Sequence, residues 1–104
     1  MINPFFKNYG PFQIDQLMNL SNINNPKNYS KIKITDIKDL STAKKNTITF
    51  FHSKKYENIS MKTEASFCIT TENLSHLIAP NCKPIIVSNV LISTAKITQI
   101  FYPD

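Results

Sequence analysis

The sequence contains one glycine, Gly10, and neither arginine nor tryptophan. A single glycine excludes the Gly-rich loops that cradle phosphates in P-loop and dinucleotide-binding proteins. It also excludes the nucleophile elbow, whose strained serine needs flanking glycines. Without arginine the chain lacks the planar fork that reads guanine and phosphate bidentately, so its net charge of +5 comes from lysine alone. Most of that charge reads as a solvated surface, and the remaining reading is attraction of an anion. Two cysteines, Cys68 and Cys82, are too few for a disulfide framework or a zinc site. Cys68, inside the run Ser66-Phe-Cys-Ile69, reads as a small buried hydrophobe. The opening Met1-Ile-Asn-Pro4 lacks the basic and apolar regions of a signal peptide, and no apolar stretch reaches membrane-spanning length. The expected compartment is a reducing cytoplasm.

What the chain does have is apolar bulk. Hydrophobic residues are 41% of 104 and charged residues only 18%, which gives a folded single domain rather than a disordered one. Residues 1–11, with Phe5, Phe6 and Gly10-Pro11, read as an opening segment ending in a turn. Ile14, Leu17 and Met18 fall at helical spacing and predict a short helix to Leu20, stopped by the polar stretch Ser21 to Pro26. Lys31 to Thr35 alternates polar and apolar, as a half-buried strand does, and the alternation breaks at Asp36-Ile37 with a bulge or strand end. Further strands are expected at Thr47–Phe51, Ala65–Thr70 and Pro84–Val87, the last apolar enough to be buried on both faces. Ser53 is placed to cap one or two helical turns over Lys54–Ile59, and Asn89 to cap a helix over Val90–Tyr102. That last segment is rich in β-branched residues, which favour strands, yet its alternation is never sustained. The whole is an α/β (α+β) domain: a small mixed sheet of four or five strands with two or three helices.

Catalytic chemistry is hard to find. His52 and His76 have no Cys, His or Asp neighbours at metal-ligand spacing. The seven carboxylates form no close pair suited to acid–base work. His76 reads as a surface or edge residue, and His52 as a polar loop residue at a strand end. One constellation is different. Phe50 and Tyr56 flank His52-Ser-Lys-Lys55 at a strand-to-helix junction. Two rings beside a loop of donors can sandwich a planar base, with stacking of about 1–3 kcal/mol per base. The alternative is that both rings are simply core.

The residues also carry a resemblance. Thr47-Ile-Thr-Phe-Phe-His-Ser-Lys-Lys-Tyr56 resembles the D-I-T-F-x-x-N-x-K-Y signature of the N-terminal domain of UDP-3-O-(3-hydroxyacyl)glucosamine N-acyltransferases, enzymes of lipid A (lipopolysaccharide) biosynthesis. Phe5-Phe6, Gly10-Pro11, Ile34 to Leu40 and Ala43 precede it in the family's order. Thr63 to Ile69, Pro84 to Asn89, Ala95 and Phe101-Tyr-Pro103 follow it. The resemblance implies that Phe50 and Tyr56 stack on the uracil of a UDP-3-O-acylglucosamine-type nucleotide sugar, with Lys55, Ser53 and His52 as weaker polar contacts. It implies no cofactor and no metal. Ser53 stands where the family motif has Asn, Asn46 where it has Asp, and Val90 where a Pro follows Asn89. In the family the catalytic histidine, acyl groove and trimer contacts belong to left-handed β-helix repeats, which would begin shortly after Pro103. The 104 residues are therefore expected to bind as a monomer and not to transfer an acyl group by themselves. A complete enzyme would be a homotrimer served by acyl carrier protein, with no nucleic acid as partner. The competing reading is a small basic adaptor domain that binds protein or RNA.

Overall fold

A computed structural model describes residues 7–24, 29 and 31–103. Pro4, Phe5, Phe6 and Pro26, used in the sequence reading, lie outside them. The first helix, α1 (Ile14–Leu20), forms where expected and buries Ile14, Leu17 and Met18. Its end is closed by a Schellman turn in which asparagine replaces the usual glycine. Asn22 takes φ 58°, its N–H bonds Asn19 O, and Ile23 N–H bonds Met18 O at 2.8 Å. Ser21 Oγ adds a bond to Leu17 O at 2.6 Å. Ile23 is thereby set against the core.

The break in alternation after Thr35 turns out to be a change of sheet. β2 (Lys33–Ile34) pairs antiparallel with β1 (Phe12–Gln13), a strand the sequence pattern does not reveal. After one residue the chain continues as β3 (Asp36–Ile37), parallel to β4 (Thr47–Phe50). β5 (Phe67–Thr70) and β6 (Lys83–Ile86) add to the same side, giving a four-stranded sheet in the order β3-β4-β5-β6 with every neighbour parallel. Thr35, at the switch, donates its N–H to Asn46 O at 2.7 Å.

Pleating sends alternate residues of this sheet to opposite faces. Ile48, Phe67, Ile69 and Ile85 face α1 and α3 (Val90–Phe101), joining Ile14, Leu17, Val90, Ile97 and Phe101 in the main core. Thr49, Cys68 and Thr70 lie on the other side, which is covered by the strand connections through Ala43, Phe51, Ala65, Ala79 and Cys82. α3 is helical despite its β-branched residues, because Asn89 Oδ1 accepts from Ile92 N–H at 3.0 Å and one face buries Val90, Ile97 and Phe101 in the core.

Burial of Pro84–Val87 on both faces is not observed. Only Ile85 is buried, and Ile86 is 42% exposed. β6 is the sheet edge and has one neighbour. Lys83 and Val87 donate their N–H groups to Ser66 O and Thr70 O, so Pro84, which has no N–H, falls on the unpaired side.

The end of α3 is bound to the start of the described chain. Tyr9 N–H donates to Phe101 O at 2.8 Å, and Tyr102 Oη donates to Asp36 Oδ1 at 2.6 Å. Gly10 lies against the buried Phe101 ring; a Cβ there would meet Phe101 Cε1 at 2.8 Å. Gly10→Ala should therefore lower unfolding free energy by about 1–3 kcal/mol in a urea titration, the cost of overpacking a ring that has no room to move. Burial, followed by the bond to Asp36, pushes the Tyr102 phenol up to about 12. A phenol raised in the folded state stabilises fully below its unfolded value near 10 and loses that contribution as pH rises through about 12. Stability should thus fall between pH 10 and 12, and Tyr102→Phe should make that fall shallower in pH-dependent thermal melts.

Candidate functional site

Because β3 and β4 lie side by side and point the same way, the segments that follow them leave from one edge of the sheet. The segment after β3 is organised by Asp39. Its Oδ1 accepts from Ser41 N–H (3.0 Å), Ser41 Oγ, Thr42 N–H and Thr42 Oγ1 (2.9 Å each). Ala43 N–H closes the turn on Asp39 O at 3.0 Å. These donors, the Thr42 N–H foremost, hold the Asp39 carboxyl below its ordinary range.

The segment after β4 is organised by Ser53. Its Oγ accepts from Lys55 N–H at 3.3 Å and starts the 3-10 turn Lys54–Tyr56, which runs into α2 (Glu57–Ser60). Tyr56 N–H donates to Ser53 O at 3.0 Å. Tyr56 is held 38% exposed, with the His52 ring 6.0 Å away between centroids and Lys55 Nζ 5.6 Å from its own ring centre.

Between the two segments lies a cleft of about 270 Å³. Asp39, Leu40 and Ser41 line it from the β3 side; Phe50, Phe51, His52, Tyr56 and Ile59 line it from the β4 side. Its volume sits near the lower limit of about 300 Å³ for small-molecule pockets, room for a ring system rather than a whole nucleotide sugar. It also stands at the carboxyl ends of parallel strands, where open sheets of this kind take their ligands. A larger cleft of about 450 Å³, lined by Lys45, Thr63, Glu64, Ser66 and Asn81 among others, precedes β5 at the amino ends and presents no aromatic side chain.

Of the five residues singled out in the sequence, Phe50, His52 and Tyr56 line the small cleft, whereas Ser53 and Lys55 do not. The Ser53 hydroxyl is engaged by the turn it caps. Phe50 and Tyr56 are not alike: Phe50 is half-buried and packs against the main core, whereas Tyr56 projects. Phe51 turns to the opposite face and is buried. Asp39, Leu40 and Ser41 were not singled out, because only the β3–β4 pairing brings them opposite Phe50.

His76 is exposed in the 3-10 turn Ser75–Leu77. Among the described residues no three His, Cys, Asp or Glu side chains gather as a metal site. Cys68 and Cys82 are free and buried, and a hydrogen bond to Cys82, then burial, pushes the Cys68 thiol up, away from a nucleophilic thiolate.

The fold and cleft define a small domain built on a parallel sheet, with an aromatic-lined cleft at its strand ends. Comparison with protein families matches residues 31–100 to the family described as UDP-3-O-(3-hydroxymyristoyl) glucosamine N-acyltransferase, LpxD. The UDP-3-O-acylglucosamine N-acyltransferase of Rickettsia canadensis is 33% identical over 100 residues, 94% of this chain and 29% of the relative. That of Rickettsia prowazekii is also 33% identical, with the same coverage. The chain belongs to the LpxD acyltransferase family, and it spans about 29% of the length of these relatives.

Ser53→Ala should cost about 0.5–1 kcal/mol by denaturant titration, since the turn loses its cap, whereas Ser53→Asn should keep it. Equal losses in both variants would show that the hydroxyl plays a part other than capping.

Proposed function

We propose that this domain is the uracil-recognition module of an N-acyltransferase that acts on a UDP-3-O-acylglucosamine in lipid A biosynthesis. The single observation that carries the reading is that Phe50 and Tyr56, six positions apart, line one cleft at the carboxyl end of β4. A base stacked there lies beside the Lys54-Lys55 pair, whose charges suit a diphosphate. His52 extends the aromatic wall. Ser53, turned to capping, reaches the base only through water, so the family's amide contact is replaced in this chain. On this reading acyl transfer itself, with acyl carrier protein as donor, belongs to the family's β-helix repeats, and the compartment is the cytoplasm.

Titration of the 104-residue chain with UDP-N-acetylglucosamine, followed by NMR with an adenosine nucleotide sugar as control, tests the reading. Uridine-selective shifts should cluster on residues 50–56, with affinity near the millimolar range, about −4 kcal/mol. Tyr56→Ala should weaken binding about ten-fold or more at a cost in stability of about 1 kcal/mol or less, because the residue is 38% exposed and lies outside the main core. Phe50→Ala should also weaken binding, but at a cost in stability of up to about 3 kcal/mol, since its ring is shared with the core. Steeply salt-dependent, base-indifferent binding to RNA would instead favour a basic adaptor.

A further inference from the structure

We infer that Asp39 is the specificity-determining residue of this cleft, its second carboxylate oxygen accepting the imide N3–H of a uracil base; this rests on the nucleotide reading above. The argument begins with what the two oxygens of Asp39 do. Oδ1 takes four donors from Ser41 and Thr42 and is saturated by them. Oδ2 accepts no hydrogen bond from the described residues, and Asp39 belongs to the wall that faces Phe50 and Tyr56 across the cleft. The carboxylate is thus rigidly anchored by one oxygen and offers the other.

The remaining lining side chains narrow the choice. Leu40, Phe50, Phe51 and Ile59 have no acceptor. The Tyr56 and Ser41 hydroxyls and the His52 ring can also accept, but Asp39 is the one carboxylate among the lining residues, and the Ser41 hydroxyl already donates its hydrogen to it. Ser53, which occupies the family's amide position, is outside the cleft and committed to Lys55 N–H. A base lying against the aromatic wall turns its edge toward residues 39–41. An ionised carboxylate is acceptor-only, and the donors on Oδ1 keep it ionised at neutral pH. With a single oxygen available it makes one bond, which suits the lone N3–H of uracil and cannot make the paired contact that guanine offers.

The test compares UDP with N3-methyl-UDP on the 104-residue chain and on Asp39→Asn. In the variant the amide oxygen stays with the Ser41 and Thr42 N–H donors, so the amide NH₂ replaces Oδ2 and confronts N3–H with another donor. Wild type should prefer UDP by roughly ten-fold or more, the effect expected of a charge-assisted bond. Asp39→Asn should bind UDP more weakly and lose most of that preference, with amide shifts outside residues 38–44 unchanged. A wild-type chain that binds both nucleotides equally, a comparison that needs no variant, would overturn the inference. So would an Asp39→Asn chain that keeps the full preference. In both cases uridine-selective shifts at residues 50–56 would leave the module assignment intact. If UDP and UDP-N-acetylglucosamine produce no such shifts at all, the nucleotide reading fails and Asp39 loses its proposed ligand with it.

Discussion

A sheet whose strands all run parallel needs cover on both faces, and most of this structure follows from meeting that requirement with a short chain. One face is covered generously. α1 and α3 lay Leu17, Met18, Ile97 and Phe101 over Ile48, Phe67 and Ile69. The other face is covered by the connections 38–46, 51–66 and 71–82, none with more than a few helical turns. Such cover lies close to the sheet, and the residues there are correspondingly small: Ala43, Ala65, Cys68, Ala79 and Cys82, with Phe51 as the one large ring. Thr70 Oγ1 donates to Phe51 O at 2.9 Å, satisfying a polar group that this thin layer would otherwise strand.

The same constraint places the cleft. Parallel strands return all their outgoing segments to one end, so β3 and β4 deliver two loops side by side without any long-range device. Each loop is stiffened by a single side chain at its start, Asp39 in one and Ser53 in the other. Asparagine at Asn22 and Asn46 and lysine at Lys31 supply the left-handed positions that glycine would ordinarily take. The scarcity of glycine excludes phosphate loops, but it does not prevent tight turns.

Features written in short sequence spans were legible beforehand. The Ile14, Leu17, Met18 stripe, the Ser53 and Asn89 caps, and the strands around Ile48 and Ile69 all depend on neighbours within one or two turns. The features missed depend on pairing between distant residues. Phe12-Gln13 is too short to carry a period, and becomes a strand only because Ile34 lies opposite. The break at Asp36 was visible, but that it moves the chain from one sheet to another was not. Pro84 to Val87 reads as buried because its residues are apolar; whether a strand lies at an edge is decided by the sheet order. Half of the cleft was hidden for the same reason. Phe50 and Tyr56 share a local motif, whereas Asp39 meets them through the β3–β4 register.

The aromatic pair also separates two alternatives that the sequence held together. Core packing and ligand stacking are not exclusive at Phe50, whose ring abuts the main core and lines the cleft at once. The balance differs at Tyr56, which is 38% exposed and has the His52 ring and Lys55 Nζ beside it. A tyrosine held part-exposed at the cleft wall by a capped turn leaves ring surface free beside Phe50. The lysines cannot define that ligand alone: among the described residues one ion pair, Lys38 with Asp36 at 3.4 Å, is formed, and the field of the rest draws any anion. On the proposed reading, selection among anions comes from the aromatic wall of Phe50 and Tyr56 and from the Asp39 carboxylate on the opposite side of the same cleft.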